Sequence, residues 1–155
     1  MLAVVGWNCF LVYYVEMGLA DKPILTLALK IVNHQHTLAD CGSILDLPTS
    51  EVYEKGDTWS FGPPGQHRHR TIRNYLWEYR EWLLSKDIGE GVDTFLDKVF
   101  FDRHQFFSKL PPGSGMEFYY RYTPTPNERI PSLQLEADLL KLLGRYGIDI
   151  DIEYY

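Results

Sequence analysis

The stretch GQHRHR, residues 65–70, places two histidines two positions apart and interleaves them with arginines. If the stretch is a strand, His67 and His69 point to the same side and can bind one metal ion together. A zinc site needs a further protein ligand, and the spacing does not select one among the other histidines, which are His34, His36 and His104. Exposed polar residues at the entrance to a strand explain the spacing equally well, so we predict no metal site.

The same region supplies three cationic groups, at Arg68, Arg70 and Arg73. Guanidinium groups bind phosphates and carboxylates through paired hydrogen bonds, so these arginines can form an anion site. Charged residues on an edge strand also keep that strand from pairing with other chains. We interpret the arginines as the solvated edge of a strand, and anion binding is the alternative.

Carboxylates alternate with apolar residues in IDIDIEYY at the end of the sequence. This alternation predicts a half-buried strand in which Asp149, Asp151 and Glu153 share one side. We expect Ile150 to point into the core and the carboxylates to face water. A row of carboxylates can also bind a cation or imitate a phosphate backbone.

The sequence signatures of several enzyme classes are absent. The chain contains no GxSxG, HExxH, GxxxxGK[ST] or GxGxxG pattern. Its two cysteines, Cys9 and Cys41, have neither CxxC spacing nor companion ligands. We therefore predict a cytoplasmic protein with reduced cysteines that is not an enzyme and has no cofactor.

Composition and charge narrow the class of partner. The 155 residues are 45% hydrophobic, which suffices for one domain with a core. The net charge of -6 disfavours nucleic-acid binding, which needs an excess of Lys and Arg, and favours a basic partner. The apolar run 2–15 is too short to span a bilayer, so we predict a buried strand there and no membrane partner.

Hydrophobic periodicity predicts the elements of the first half of the chain. In ILTLALKIV, residues 24–32, apolar and polar residues alternate as in a strand. A short helix is predicted in 37–47, with Thr37 as its N-cap. Turn-forming residues make 48–65 a loop. The segment 70–84 fits a strand or a helix, and its aromatic residues favour a strand.

The second half is predicted to contain two helices and a strand before the final strand. An apolar stripe at helical spacing marks a helix in 91–110, and aromatic content marks a strand in 115–123. Leucines mark a helix that runs from a cap at Ser132 to Gly147. The order of elements predicts a single α+β domain over 1–155, with a mostly antiparallel sheet and about three helices packed on one face.

The segment LADCGSILDLPTSEVYEKGDTW, residues 38–59, runs from a short helix through Leu-Pro-Thr into Tyr-Glu-Lys-Gly-Asp. This pattern resembles a bacterial family of domains of unknown function (number 4279), and the closing LLKLLGRYGIDIDIEYY is similar to that family's layout. The similarity covers residues 24–155 and leaves 1–22 as an added strand and turn. The resemblance implies an immunity protein that binds a cognate toxin in the cytosol and blocks it, and it implies no catalytic residues.

Two acidic surfaces are candidates for binding a basic toxin. One is the final strand, whose carboxylates precede the aromatic Tyr155. The other is the loop that carries Glu51, Glu54 and Asp57. Opposite charges speed the encounter of two proteins, and aromatic anchors contribute binding energy.

The alternative function is a small-ligand-binding or regulatory module. Its pocket would lie under the loop 48–65, with Trp59, Phe61 and Trp77 as lining residues. The sequence leaves the identity of the toxin and the oligomeric state open.

Overall fold

The computed structural model describes residues 24–61, 68–83, 88–123 and 133–154. Outside these ranges lie the predicted strand in 2–15, His67, the predicted cap Ser132, and Tyr155. The described strands are β1 (Ile24–Asn33), β2 (Glu51–Tyr53), β3 (Thr58–Phe61), β4 (Arg68–Thr71), β5 (Tyr75–Leu83), β6 (Gly115–Thr123) and β7 (Ile148–Tyr154). The described helices are α1 (Cys41–Leu45), α2 (Ile88–Leu96) with its π-helical continuation Asp97–Phe101, a 3-10 helix (His104–Lys109), and α3 (Ala137–Tyr146).

Five of these strands form one sheet in the order β2-β5-β1-β6-β7. The central strand β1 pairs antiparallel with β5 and β6, whereas β7 runs parallel to β6 at one edge. The strands β3 and β4 pair with each other and form a separate two-stranded sheet, here called the small sheet. The α+β class is confirmed, with one parallel strand pair and four helical segments in the described residues where about three were predicted.

The five-stranded sheet has an apolar face and a polar face. Leu27 and Leu29 of β1 are fully buried on the side that meets the helices, here called the helix face. Ala28 points to the other side and pairs directly with Arg80 and Tyr119 of the neighbouring strands. Directly paired residues share a face. The other side, here called the polar face, therefore carries the charged residues Lys30, Glu51, Glu78, Arg80, Glu117, Arg121, Asp149, Asp151 and Glu153.

Aromatic side chains fill the space between the helix face and the helices. Phe95 of α2 lies against Phe118 of β6, with ring centroids 6.1 Å apart. Phe100 of the π-helical segment meets Phe118 edge to face at 5.5 Å and Phe107 of the 3-10 helix at 6.3 Å. Such pairs add to the stabilisation that comes from burying large apolar surfaces. The cluster joins three consecutive helical segments to the centre of the sheet.

The start of the first helix differs from the prediction. The helix α1 begins at Cys41, and Thr37 does not cap it. The N-cap position is Asp40, and the Thr37 hydroxyl lies in the turn before it, where it accepts the Ala39 backbone N–H at 3.3 Å and donates to Glu54 Oε1 at 2.6 Å. The helix α3 likewise begins only at Ala137, although its predicted end at Gly147 is confirmed by a left-handed φ of 62°.

The predicted loop 48–65 contains two short strands. The strand β2 pairs with β5, with Val52 opposite Trp77, and β3 pairs with β4. Each is too short to produce a clear alternation of apolar and polar residues, and each pairs with a strand that lies further along the chain. The strand prediction for 70–84 is confirmed by β5, while Arg70 and Thr71 belong to β4.

The final strand is confirmed, but the expected core position of Ile150 is wrong. Ile148 is 6% exposed, whereas Ile150 is 37% exposed. Ile150 lies on the helix face opposite Phe118. However, β7 lies at the edge of the sheet that the described strands form, and Gly147 joins α3 directly to its first residue, so the helical layer buries only the beginning of β7.

We expect Ile148→Ala to lower the free energy of unfolding by about 2 kcal/mol, because it removes a buried branched side chain. We expect Ile150→Ala to lower it by less than about 1 kcal/mol, because much of that side chain already contacts water. Urea unfolding of both variants measures the difference. Equal losses for the two variants would contradict this account of β7.

Candidate functional site

The carboxylates of β7 form a row along the polar face at the edge of the sheet. Asp149 is exposed, and Asp151 and Glu153 are half-buried. In the register of β6 and β7, these three lie beside Glu117, Tyr119 and Arg121 respectively. The row therefore continues into Glu117, whose carboxylate pairs with Lys30 at 3.1 Å. The structure keeps the predicted acidic residues together on one strand.

A tyrosine of β6 is tied to the end of this row. The Tyr119 hydroxyl donates a hydrogen bond to Glu153 Oε2 at 2.5 Å. Burial, and then the neighbouring Glu153 carboxylate, raises the pKa of Tyr119 above its usual value. The hydroxyl therefore stays protonated at neutral pH and holds Glu153 in place as a donor.

The other side of β7 is an exposed apolar surface. Ile150, Ile152 and Tyr154 are 37%, 41% and 43% exposed. The Tyr154 ring lies near that of Tyr120, with centroids 6.2 Å apart. Among the described strands, β7 pairs only with β6, so its outer backbone edge is available for a further strand from within or outside the chain. We call this surface, Asp149 to Tyr154 with its outer edge, the β7 edge.

The second acidic group predicted from the sequence lies at the opposite edge of the sheet. Glu51 is in β2, the other edge strand, where it is partly buried on the polar face. Glu54 and Asp57 belong to the exposed turn that follows, and the Glu54 backbone N–H donates to Asp57 Oδ2 at 2.8 Å. The two predicted acidic surfaces are thus separated by the width of the sheet and do not form one site.

A pocket of about 410 Å³ lies between the small sheet and the polar face. The five-stranded sheet provides its floor, with Lys30, Val32, Leu76, Glu78 and Arg80 from the central strands and Glu51 and Tyr53 from β2. The small sheet and the segment after it provide its wall, with Trp59, Arg70, Thr71, Ile72, Arg73 and Asn74. All floor residues belong to one face of the sheet, because their register places them on the same side.

The charges of the pocket floor are paired with one another. Arg80, whose side chain is 7% exposed, contacts Glu78 through Nε and lies 3.6 Å from Glu51. Burial is the largest influence on Glu51 and raises the pKa of its carboxyl, against the opposing effect of Arg80. Tyr53 donates to Glu51 Oε2 at 3.3 Å, and burial raises the pKa of that tyrosine to about 12. The floor therefore consists of satisfied ion pairs and hydrogen bonds.

The predicted aromatic lining of a pocket is partly correct. Trp59 lines the pocket, but Trp77 is fully buried on the helix face and cannot reach it. The indole Nε1 of Trp77 donates to Thr49 Oγ1 at 2.8 Å, which fixes the segment between α1 and β2. The side chain of Phe61 lies outside the described residues.

Sequence reasoning missed the pocket residues Lys30, Glu78 and Arg80. Glu78 and Arg80 stand two apart in β5 between Trp77, Tyr79 and Trp82. Two charges of opposite sign at strand spacing in an aromatic run are the signal that could have indicated a buried ion pair. Their meeting with Lys30 depends on the pairing of β1 with β5, which the local sequence does not specify.

Neither nucleophilic nor metal chemistry is evident among the described residues. Cys41 is fully buried, and burial raises the pKa of its thiol to about 11, so the reactive thiolate is disfavoured. Within the described ranges, no three His, Cys, Asp or Glu side chains are grouped as metal ligands. His34 contacts Asn74, and His104 contacts the Tyr146 hydroxyl at 3.1 Å. None of the helices described here has the length and apolar character needed to cross a bilayer.

A scan of protein-family models and searches of curated proteins and solved structures found no match to this chain. The β7 edge and the pocket under the small sheet are the surfaces of the described residues that can indicate a function.

Proposed function

We propose that the protein binds a basic bacterial toxin domain and inhibits it by covering the active surface of that toxin. The observation that carries the proposal is the β7 edge, where Ile150, Ile152 and Tyr154 are 37–43% exposed on one face and three carboxylates line the opposite, polar face of the same strand. The resemblance of the pattern in residues 38–59 to an immunity-like family implies the same function, although no family model matches the chain.

The β7 edge combines three features of protein-binding surfaces. Exposed aliphatic and aromatic side chains contribute binding energy when a partner removes them from water. Carboxylates attract a basic partner and speed its encounter, and the whole chain adds to this with a net charge of -6. An edge strand can also accept a strand of the partner through backbone hydrogen bonds.

Neutralising the acidic row tests the electrostatic part of this proposal. We expect Asp149→Asn with Asp151→Asn and Glu153→Gln to lower the association rate with the toxin domain encoded beside this gene about tenfold, because screening and neutralisation act mainly on encounter. Surface plasmon resonance measures association and dissociation separately. Raising the salt concentration should slow association of the wild-type protein more than it speeds dissociation.

The matched control removes the same charge from exposed acidic residues of the helical layer, by Asp93→Asn, Asp102→Asn and Glu136→Gln. We expect this variant to associate at a rate closer to that of the wild type. Ile152→Ala should mainly raise the dissociation rate, because the apolar contact forms after encounter. If the wild-type protein neither binds nor neutralises the adjacent toxin, the proposed function is wrong. If the wild-type protein binds and the β7 substitutions leave both rates unchanged, the interface lies elsewhere.

A further inference from the structure

We propose that the pocket between the small sheet and the polar face binds a small organic anion with a flat apolar body, such as an aromatic carboxylate. This inference does not depend on the toxin proposal, since the pocket and the β7 edge occupy different parts of the sheet. A volume of about 410 Å³ lies within the range of small-molecule sites, roughly 300–1,000 Å³.

Two arginines make the wall of the pocket cationic. Arg70 and Arg73 both line it and are both exposed. Among the described residues, neither has a carboxylate within ion-pair distance, whereas Lys30 pairs with Glu117 at 3.1 Å and Arg80 pairs with Glu78 and Glu51. The guanidinium groups of Arg70 and Arg73 are thus the cations of the pocket that remain for a ligand, and their fork of N–H donors matches a carboxylate or a phosphate.

The charge pairing on the pocket floor favours an anionic ligand over a cationic one. Its carboxylates, Glu51 and Glu78, already accept hydrogen bonds and charge pairing from Arg80 and Tyr53. A cationic ligand would have to compete for these carboxylates with Arg80, whose side chain is 7% exposed and already in place. An anion at Arg70 and Arg73 leaves the floor pairs undisturbed.

The remaining lining residues specify the body of the ligand. Trp59 is half-buried in β3 and stands directly opposite Arg70 in β4, so an indole ring and a guanidinium group lie side by side at the wall. Val32, Ile72 and Leu76 add aliphatic surface. Flat rings stack on indole and on guanidinium planes, and aliphatic side chains cover the rest of such a body. The arrangement therefore fits a ligand with an anionic group at one end and an aromatic ring behind it.

The experiment titrates the full-length protein with 2-naphthoate by isothermal calorimetry, with 2-naphthylmethylammonium and inorganic phosphate as comparison probes. We expect saturable one-to-one binding of 2-naphthoate and markedly weaker binding of the other two probes, because one lacks the negative charge and the other lacks the ring. Arg70→Gln with Arg73→Gln should weaken 2-naphthoate binding about tenfold or more. The charge-matched control is Lys55→Gln with Arg145→Gln, two exposed residues that do not line the pocket, and it should bind as the wild type does.

Three outcomes would overturn the inference: no saturable binding of 2-naphthoate, equal binding by the Arg70 and Arg73 variant, or equal binding of the ammonium probe. Circular dichroism and urea unfolding confirm that each variant is folded, so that a loss of binding is not a loss of structure. The triple neutralisation of the β7 carboxylates should leave 2-naphthoate binding unchanged. That result would show that ligand binding in the pocket does not require the β7 carboxylates, so either proposal can be disproved without the other.

Discussion

Phe100→Ala is expected to lower the free energy of unfolding by about 4 kcal/mol. The Phe100 ring is fully buried and meets three aromatic rings, those of Phe95, Phe107 and Phe118, with centroids 6.5, 6.3 and 5.5 Å away. Alanine removes these contacts and leaves a cavity between the helices and the sheet, which the rigid central strands cannot close. Urea unfolding followed by circular dichroism measures the loss.

The adjacent phenylalanine provides the matched control. Phe101 is 38% exposed in the same π-helical segment, so Phe101→Ala removes the same atoms from a site that is already partly in water. We expect it to cost less than about 1 kcal/mol. Comparable losses from the two substitutions would mean that the helical segment does not orient these residues as described.

Glu78→Ala is expected to lower the free energy of unfolding by about 3 kcal/mol, which is the second largest effect we predict. Glu78 is 3% exposed, and its carboxylate contacts Arg80 Nε. Removing the carboxylate takes away the closest charge partner of the buried guanidinium and leaves it beside the more distant Glu51, at 3.6 Å. The cost arises mainly from this incompletely compensated charge.

Two comparisons separate charge from packing at Glu78. Replacing both members of the pair, Glu78→Leu with Arg80→Met, should restore much of the lost stability, since the buried guanidinium is removed together with its carboxylate. Glu51 loses Arg80 as well, but its side chain is 26% exposed and it keeps the hydrogen bond from Tyr53. Glu117→Ala, which removes the partner of Lys30, should cost less than about 1 kcal/mol, because those side chains are 35% and 22% exposed and solvent screens them. A double variant less stable than Glu78→Ala would contradict the proposed role of the pair.

The pocket and the acidic row of the β7 edge use different residues of the polar face. The acidic row of the β7 edge lies toward one side, and the pocket lies toward β2 at the other. Lys30 of the central strand links them, because it lines the pocket and also pairs with Glu117 beside Asp149. Measurements of toxin association and 2-naphthoate binding on the same variants therefore test both proposals at once.

Periodicity in the sequence was sufficient to identify most of the elements. Alternation in β1 and β7, aromatic content in β5 and β6, and the apolar stripes of the helices predicted an α+β fold, and the structure contains these elements. This succeeded because side-chain direction repeats every two residues in a strand and every 3.6 in a helix, which is a local property of the chain. The same information correctly placed the carboxylates of β7 on one side of their strand.

Tertiary structure alone decided which of these residues are exposed together. Placing β7 at the edge of the sheet left Ile150 and Ile152 at the surface, although their alternation resembles that of a buried strand. Placing the small sheet over the polar face brought Arg70 and Trp59 to Lys30 and Arg80, which are distant in sequence. Strand order and the docking of one sheet on another depend on contacts between remote segments, so local periodicity, which reports only the direction of each side chain, does not determine them.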